Sequence, residues 1–219
     1  MSHIPSPDVK LYPGTSMPDR DWWSALWPNP EAMLRGLGAR PGRRALDVCC
    51  GDGYFTVPLA RLTAPATTVG VDLDYDALAL ARRDAAEAQV ANISLVHASA
   101  CDLGSLVDGR FDFVLLASTL HGVPDPLGMV ISVRDLMNPG AQLAIVNWHA
   151  LSRAKCEVLG APRGPRPALR MPPMALRHLT DAAGLSEVAF YDVGPYHYAA
   201  VFEPRSAVGC GPRPDHAAS

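Results

Sequence analysis

The stretch Ala45-Leu46-Asp47-Val48-Cys49-Cys50-Gly51-Asp52-Gly53-Tyr54-Phe55 runs from an apolar strand into two adjacent cysteines and then two alternating glycines. Three chemistries are open to it: a metal site, a thiol redox couple, or a turn that cradles a cofactor. Cysteine usage argues against the first two. The chain has five cysteines, at 49, 50, 101, 156 and 210, with irregular spacing and no C-x-x-C pair. Neighbouring side chains on a strand leave opposite faces, so Cys49 and Cys50 would not grip one metal together. They read as small buried thiols, and no metal site is expected. A strand that turns through glycines into a helix instead brings backbone N–H groups and a helix start to the carboxyl edge of a sheet. Glycine is expected there because a side chain would collide with a ligand lying against the turn.

The flanking sequence supports such a sheet. Leu46 to Cys49 reads as a strand and Tyr54 to Leu62 as a helix. "TTVGVDL" follows as a second strand and "DYDALALARRDAAEAQ" as an amphipathic helix. Asn92 to His97, "FDFVLLA" and "AQLAIVNW" are further strands, with "DPLGMVISVRDLM" a helix closed by Asn138-Pro139-Gly140. Near-continuous apolar strands alternating with helices imply a parallel sheet covered on both faces. After "MPPMALRHLTDAAGL", a helix, two strands are separated only by Gly194-Pro195, a link short enough for a hairpin and too short for a crossover. The fold class expected is therefore Rossmann-like α/β, three layers α/β/α, with a mostly parallel seven-stranded sheet whose last strand is antiparallel. Nineteen residues after Gly53, Asp72 closes the second strand, where a carboxylate can accept both hydroxyl protons of a ribose. A nucleoside cofactor fits this combination. The dinucleotide pattern G-x-G-x-x-G fails at Thr56.

Three segments are expected: an irregular N-terminal arm over 1–28, a catalytic domain over 29–204, and a disordered tail over 205–219. The arm carries four prolines in its first 20 residues and then Trp22, Trp23 and Trp27, which suit either a hydrophobic latch or a lid over a pocket. Asn29-Pro30 looks like the capped start of a short helix. At 219 residues the chain is long enough to bury a core without disulfides. With 19 basic and 22 acidic residues there is no global positive field to hold nucleic acid or an anionic membrane, so neither partner is expected. The start "MSHIPSPDVK" has no signal-peptide pattern, and no apolar run approaches the roughly 20 residues of a spanning helix. A cytoplasmic location is expected.

Several motifs, in order, resemble the class I S-adenosylmethionine-dependent methyltransferases. "DVCCGDGYF" is similar to their first motif, with Cys49 where the first glycine usually stands, as in some quinone-biosynthesis members. "GVDLD" resembles the ribose-binding second motif, and "FDFVLLASTLHGVPDP" the fourth-strand motif. The closing hairpin is also that family's. The resemblance covers about residues 30–204 and implies S-adenosyl-L-methionine as cofactor, held by Asp47, Cys49, Gly51, Gly53, Asp72, Leu73, Ser99, Ala100 and Ala117. Ser99 or Asp102 would meet the adenine amino group, and the Ala100 N–H a ring nitrogen. The implied reaction is in-line methyl transfer to a small-molecule acceptor. A macromolecular acceptor such as tRNA or protein, a non-catalytic binding or regulatory protein, and a dehydrogenase are the rival readings.

On the acceptor side, His121 follows the fourth strand and is the candidate base. Trp23, His149, Arg166 and Tyr196 are candidate substrate contacts; His197, His97 and His178 read as weaker or structural. Arg163, Arg166 and Arg170 fall within eight residues among Pro162, Pro165 and Pro167, on a long ordered loop over 151–170. Guanidinium groups so placed suit a carboxylate or phosphate, so an anionic acceptor is expected there.

Overall fold

The computed structural model describes residues 17–100 and 102–205; residues 1–16 of the expected arm, 206–219 of the expected tail, and Cys101 and Cys210 lie outside the described residues. In chain order the elements are α1 (Arg20–Leu26), α2 (Pro30–Gly36), β1 (Ala45–Val48), α3 (Thr56–Thr63), β2 (Thr68–Asp72), α4 (Tyr75–Glu87), β3 (Ile93–His97) and α5 (Leu103–Leu106). They continue with β4 (Phe111–Ala117), α6 (Pro126–Asp135), β5 (Met137–Trp148), β6 (Glu157–Val158), β7 (Ala161–Pro162), α7 (Pro173–Ala182), β8 (Leu185–Val193) and β9 (His197–Pro204).

Seven strands form one sheet in the order β3-β2-β1-β4-β5-β9-β8. β1 pairs in parallel with β2 and with β4, so strand order reverses between β1 and β4, and a crevice opens at their carboxyl ends. β9 runs antiparallel to both of its neighbours, as the short Gly194-Pro195 link requires. Alternation along the central strands divides the core. Val114, Leu116, Leu143 and Ile145 face α6 and α7, whereas Phe113, Leu115, Ala144 and Val146 face α1, α2 and α3. Among the described residues no helix is long and apolar enough to cross a membrane.

The structure corrects the sequence reading in four places. Residues 20–26 of the expected irregular arm are helical, and burial of Trp22, Trp23 and Leu26 supplies the reason. Trp23 meets Tyr54, Phe55, Trp27 and His197 edge-on, so tertiary packing orders a segment whose proline-rich approach suggested none. Asn138-Pro139-Gly140 does not close a helix. α6 ends at Asp135, and these residues extend β5 past a register shift opposite Phe111, with Asn138 Nδ2 donating to Asp112 at 2.7 Å. The 151–170 loop contains the β6–β7 hairpin and two short 3₁₀ turns. Arg205, the first residue of the expected tail, is tied down: its N–H donates to the Gly184 carbonyl and its guanidinium pairs with Asp181.

Candidate active site

The turn after β1 is built from left-handed backbone at alternate positions. Cys49 has φ 59°, Gly51 φ 54° and Gly53 φ 81°. Glycine takes such angles freely, whereas Cys49 carries a cost of about 1–2 kcal/mol for the same geometry. Cys49 is thus not the last residue of a strand but the first of the turn. Gly51 faces the crevice: its N–H donates to Asp72 Oδ2 at 2.7 Å, and a Cβ there would meet Met17 Sδ at 2.5 Å. Gly53 does not face it. A Cβ on Gly53 would stand 2.8 Å from Ala81 Cβ on α4, so this glycine allows close packing of turn on helix rather than approach of a ligand. Asp52, between them, pairs with Arg20, which also reaches Asp84 at 2.6 Å and ties α1 to the turn.

Two carboxylates stand at the strand ends and line the crevice, which has a volume of about 850 Å³. Asp47 on β1 is buried and accepts from Thr56 Oγ1 at 2.7 Å. Burial pushes its pKa up to about 7; the Thr56 bond opposes the shift and the charge of Asp72 adds to it. Asp72 at the tip of β2 is also raised by burial, against the N–H bonds it accepts from Gly51 and from Asp74 at 2.8 Å. Each of its oxygens carries one of those bonds, which leaves each a lone pair for a further donor. A ribose diol matches that capacity. Leu73, Cys49 and Ala100 continue the wall beside Asp72, and Asp74 and Asp19 add negative charge. This half fits a nucleoside ligand that carries positive charge.

The other half is aromatic and basic. Ala117, Ser118 and Thr119 lead from β4 to a 3₁₀ turn, Leu120–Gly122, that carries His121 into the crevice. His121 Nδ1 is buried without a hydrogen-bond partner, and burial, with the charge of Arg170, pulls the imidazole down to about 4. Trp22, Trp23, Tyr54 and Trp148 form walls, and Arg153, Arg163 and Arg166 project from the 151–170 loop.

The structure therefore brings Asp47, Cys49, Gly51, Asp72, Leu73 and Ala100 to one half of the crevice, and Ala117, His121, Trp23 and Arg166 toward the other. Ser99, His149 and Tyr196, with Gly53, are not brought to it. The Ser99 carbonyl accepts from Asp102 N–H at 3.0 Å in the turn before α5. His149 Nε2 lies 3.0 Å from Asp192 Oδ1, and Tyr196 donates its hydroxyl to the Glu157 carbonyl while stacking on Trp148 at 6.4 Å. Sequence reasoning missed Trp148, which precedes His149. Neighbouring strand residues leave opposite faces, and nothing in the sequence says which of the two turns to the site. Arg163 was visible in the same arginine cluster as Arg166. His197 packs among Trp23, Trp27 and Trp148, and burial lowers it to about 3.

Comparison with known proteins agrees with this geometry. Residues 46–145 match the family model described as methyltransferase domain. The demethylmenaquinone methyltransferase of Geobacillus sp. (strain WCH70) is 30% identical over 114 residues, 52% of this chain and 48% of the relative. The chain spans about half the length of the curated relatives it matches. Among solved structures, a SAM-dependent methyltransferase from Aquifex aeolicus superposes with TM-score 0.72 at 21% identity, covering 84% of this chain and 93% of that one. The [4+2]-cyclase SpnF does so with TM-score 0.66 at 16% identity and 80% coverage of each. At these identities the structural likeness speaks for the fold. Residues 46–145 are thus similar to a methyltransferase domain, and the fold is the one these solved structures share.

Proposed function

We propose that the domain binds S-adenosylmethionine at the β1–β2 half of the crevice and directs its methyl group to a small, anionic acceptor in the aromatic half. The observation that carries this reading is the double use of Asp72. Its carboxylate braces Gly51 at 2.7 Å and keeps two acceptor positions open at the sheet's switch point. The cofactor supplies a methyl group already activated on a sulfonium. Alignment and exclusion of water are then the main tasks left to the protein, and orientation alone is worth on the order of 7–11 kcal/mol.

Asp72 accepts from the ribose hydroxyls, and Asp47, hydrogen-bonded to Thr56, offers negative charge to the cationic end. Trp22, Trp23 and Trp148 exclude water from the acceptor side. His121 is neutral at pH 7, because its folded pKa of about 4 lies well below that pH. With its proton on the buried Nδ1, it leaves Nε2 to accept the acceptor's O–H or N–H in a hydrogen bond. So weak a base would hold that proton in a hydrogen bond rather than remove it from the acceptor in advance. Arg153, Arg163 and Arg166 supply the positive charge that an anionic acceptor needs. The buried thiols Cys50 and Cys156 suit a reducing, cytoplasmic setting for this activity.

The test is a methyl-transfer screen of acceptors with and without a carboxylate or phosphate, reading S-adenosylhomocysteine formed, beside calorimetric titration with that product. Turnover is expected with anionic acceptors. Failure to bind S-adenosylhomocysteine overturns the cofactor assignment; tight binding with no turnover on any acceptor favours a non-catalytic binding protein.

A further inference from the structure

We infer that Arg163 determines acceptor specificity, and that the acceptor is an aromatic ring bearing a carboxylate or a phosphate. The inference rests on the functional reading above and names the substrate class for the aromatic half of the crevice.

Acids and arginines reach the crevice from different parts of the sheet edge: Asp47, Asp72 and Asp74 from β1 and the end of β2, and Arg153, Arg163 and Arg166 from the loop after β5, beyond β4. Arg20, Arg134, Arg177 and Arg205 each meet a carboxylate, but none of these three has an acid partner among the described residues. Within the trio, Arg163 differs from Arg166. Arg166 is exposed, whereas Arg163 is half-buried, with its guanidinium over the Trp22 ring at 5.5 Å. Its Nε is buried without a hydrogen-bond partner. That leaves the outer guanidinium N–H groups, which take no acceptor among the described residues, to meet an incoming oxyanion, and partial burial reduces screening of the pair by salt.

The loop holds Arg163 ready. Its backbone N–H donates to the Cys156 carbonyl at 2.8 Å, and its own carbonyl accepts from Arg170 at 3.4 Å. Arg170 is buried, donates to the carbonyls of Pro165 at 3.1 Å and Leu151 at 3.0 Å, and lies over Trp148. Gly164 sits so close to Trp148 that a Cβ would stand 2.8 Å from the ring. The guanidinium is thus presented on a braced backbone, and its planar fork suits two oxygens of one anion. Trp22, Trp23, Tyr54 and Trp148 line the same crevice as the arginines and His121. A planar ring in that space meets aromatic partners, and its anionic substituent meets Arg163.

The full chain, saturated with S-adenosylhomocysteine, is titrated with benzoate, phenyl phosphate and benzamide while tryptophan indole N–H shifts report binding. At least one anion should bind about tenfold or more tightly than benzamide, and the tighter of the two distinguishes carboxylate from phosphate. Arg163→Gln should remove that preference, and Arg163→Lys should restore part of it. Both should leave S-adenosylhomocysteine affinity within about twofold, a readout that a folding defect would not spare. Benzamide binding as well as the anions, an anion preference that survives Arg163→Gln, or no binding by any probe to the loaded protein overturns the inference. Failure of S-adenosylhomocysteine itself to bind is a different result, because it removes the cofactor reading and this inference with it.

Discussion

The turn after β1 and the loop after β5 face each other across one crevice, yet they are held by opposite means. The turn is secured by backbone. Left-handed angles at residues 49, 51 and 53 set its path, and an N–H bond to Asp72 ties it to the next strand. The loop has little regular structure and is secured by one side chain. Arg170 donates to the carbonyls of Leu151, Arg163 and Pro165 and to Cys156 Sγ at 2.9 Å. A backbone-built site uses residue types that few other positions tolerate. A site braced by a side chain depends on where that side chain ends up after the sheet has formed.

Three experiments bear on this contrast. The largest effect is expected from Asp72→Ala, which removes both the brace on Gly51 and the two positions open to a diol. S-adenosylhomocysteine affinity measured by calorimetry should fall about 100-fold or more. A loss under threefold would mean that the turn is not the cofactor half, and the contrast would invert. Arg170→Met comes next. It removes the donors that pin the loop carbonyls while keeping an unbranched apolar stem, and should cost about 2 kcal/mol in denaturant unfolding. Hydrogen exchange should speed up over 151–170 and stay unchanged at 45–56; equal acceleration at both would show that the two regions are not independently built.

The smallest effect is a pH dependence confined to the turn. The folded pKa of Asp47, about 7, lies above its ordinary 3.8, and only the ionised form attracts a cationic ligand. Cofactor affinity should therefore rise about tenfold from pH 6 to pH 8, with proton release on binding, and Asp47→Asn should flatten the profile. The sign reverses for the ligand-free protein. Its native state holds the Asp47 proton more tightly than the unfolded chain does, so this group lowers stability as pH rises from 3.8 toward 7. A flat affinity profile in the unaltered protein would remove Asp47 from the cofactor site.

Legibility in the sequence follows the same division. Gly51, Asp47 and Asp72 were readable because a strand end, a positive-φ turn and a carboxylate at the next strand tip leave a local signature. Even there the reason for Gly53 was misread, since only the packed structure sets Ala81 of α4 against it. The helix over 20–26 was missed because proline content speaks only for local chain preference, while Trp22, Trp23 and Trp27 enter the core. His149 and Tyr196 were named for the crevice, but Trp148 takes that face of β5. A strand's period of two leaves its face undetermined until its neighbours are known.

The amino-acid sequence alone determined the layered α/β architecture, its reversed final strand and the glycine turn with its paired acids. Each of these follows from local periodicity, permitted dihedrals and link length. Only tertiary structure decided which aromatic and basic groups share the crevice, that Arg163 rather than Arg166 is braced there, and that His121 is held neutral. Those properties come from burial and from contacts between residues far apart in the chain, and no spacing along one strand or loop encodes them.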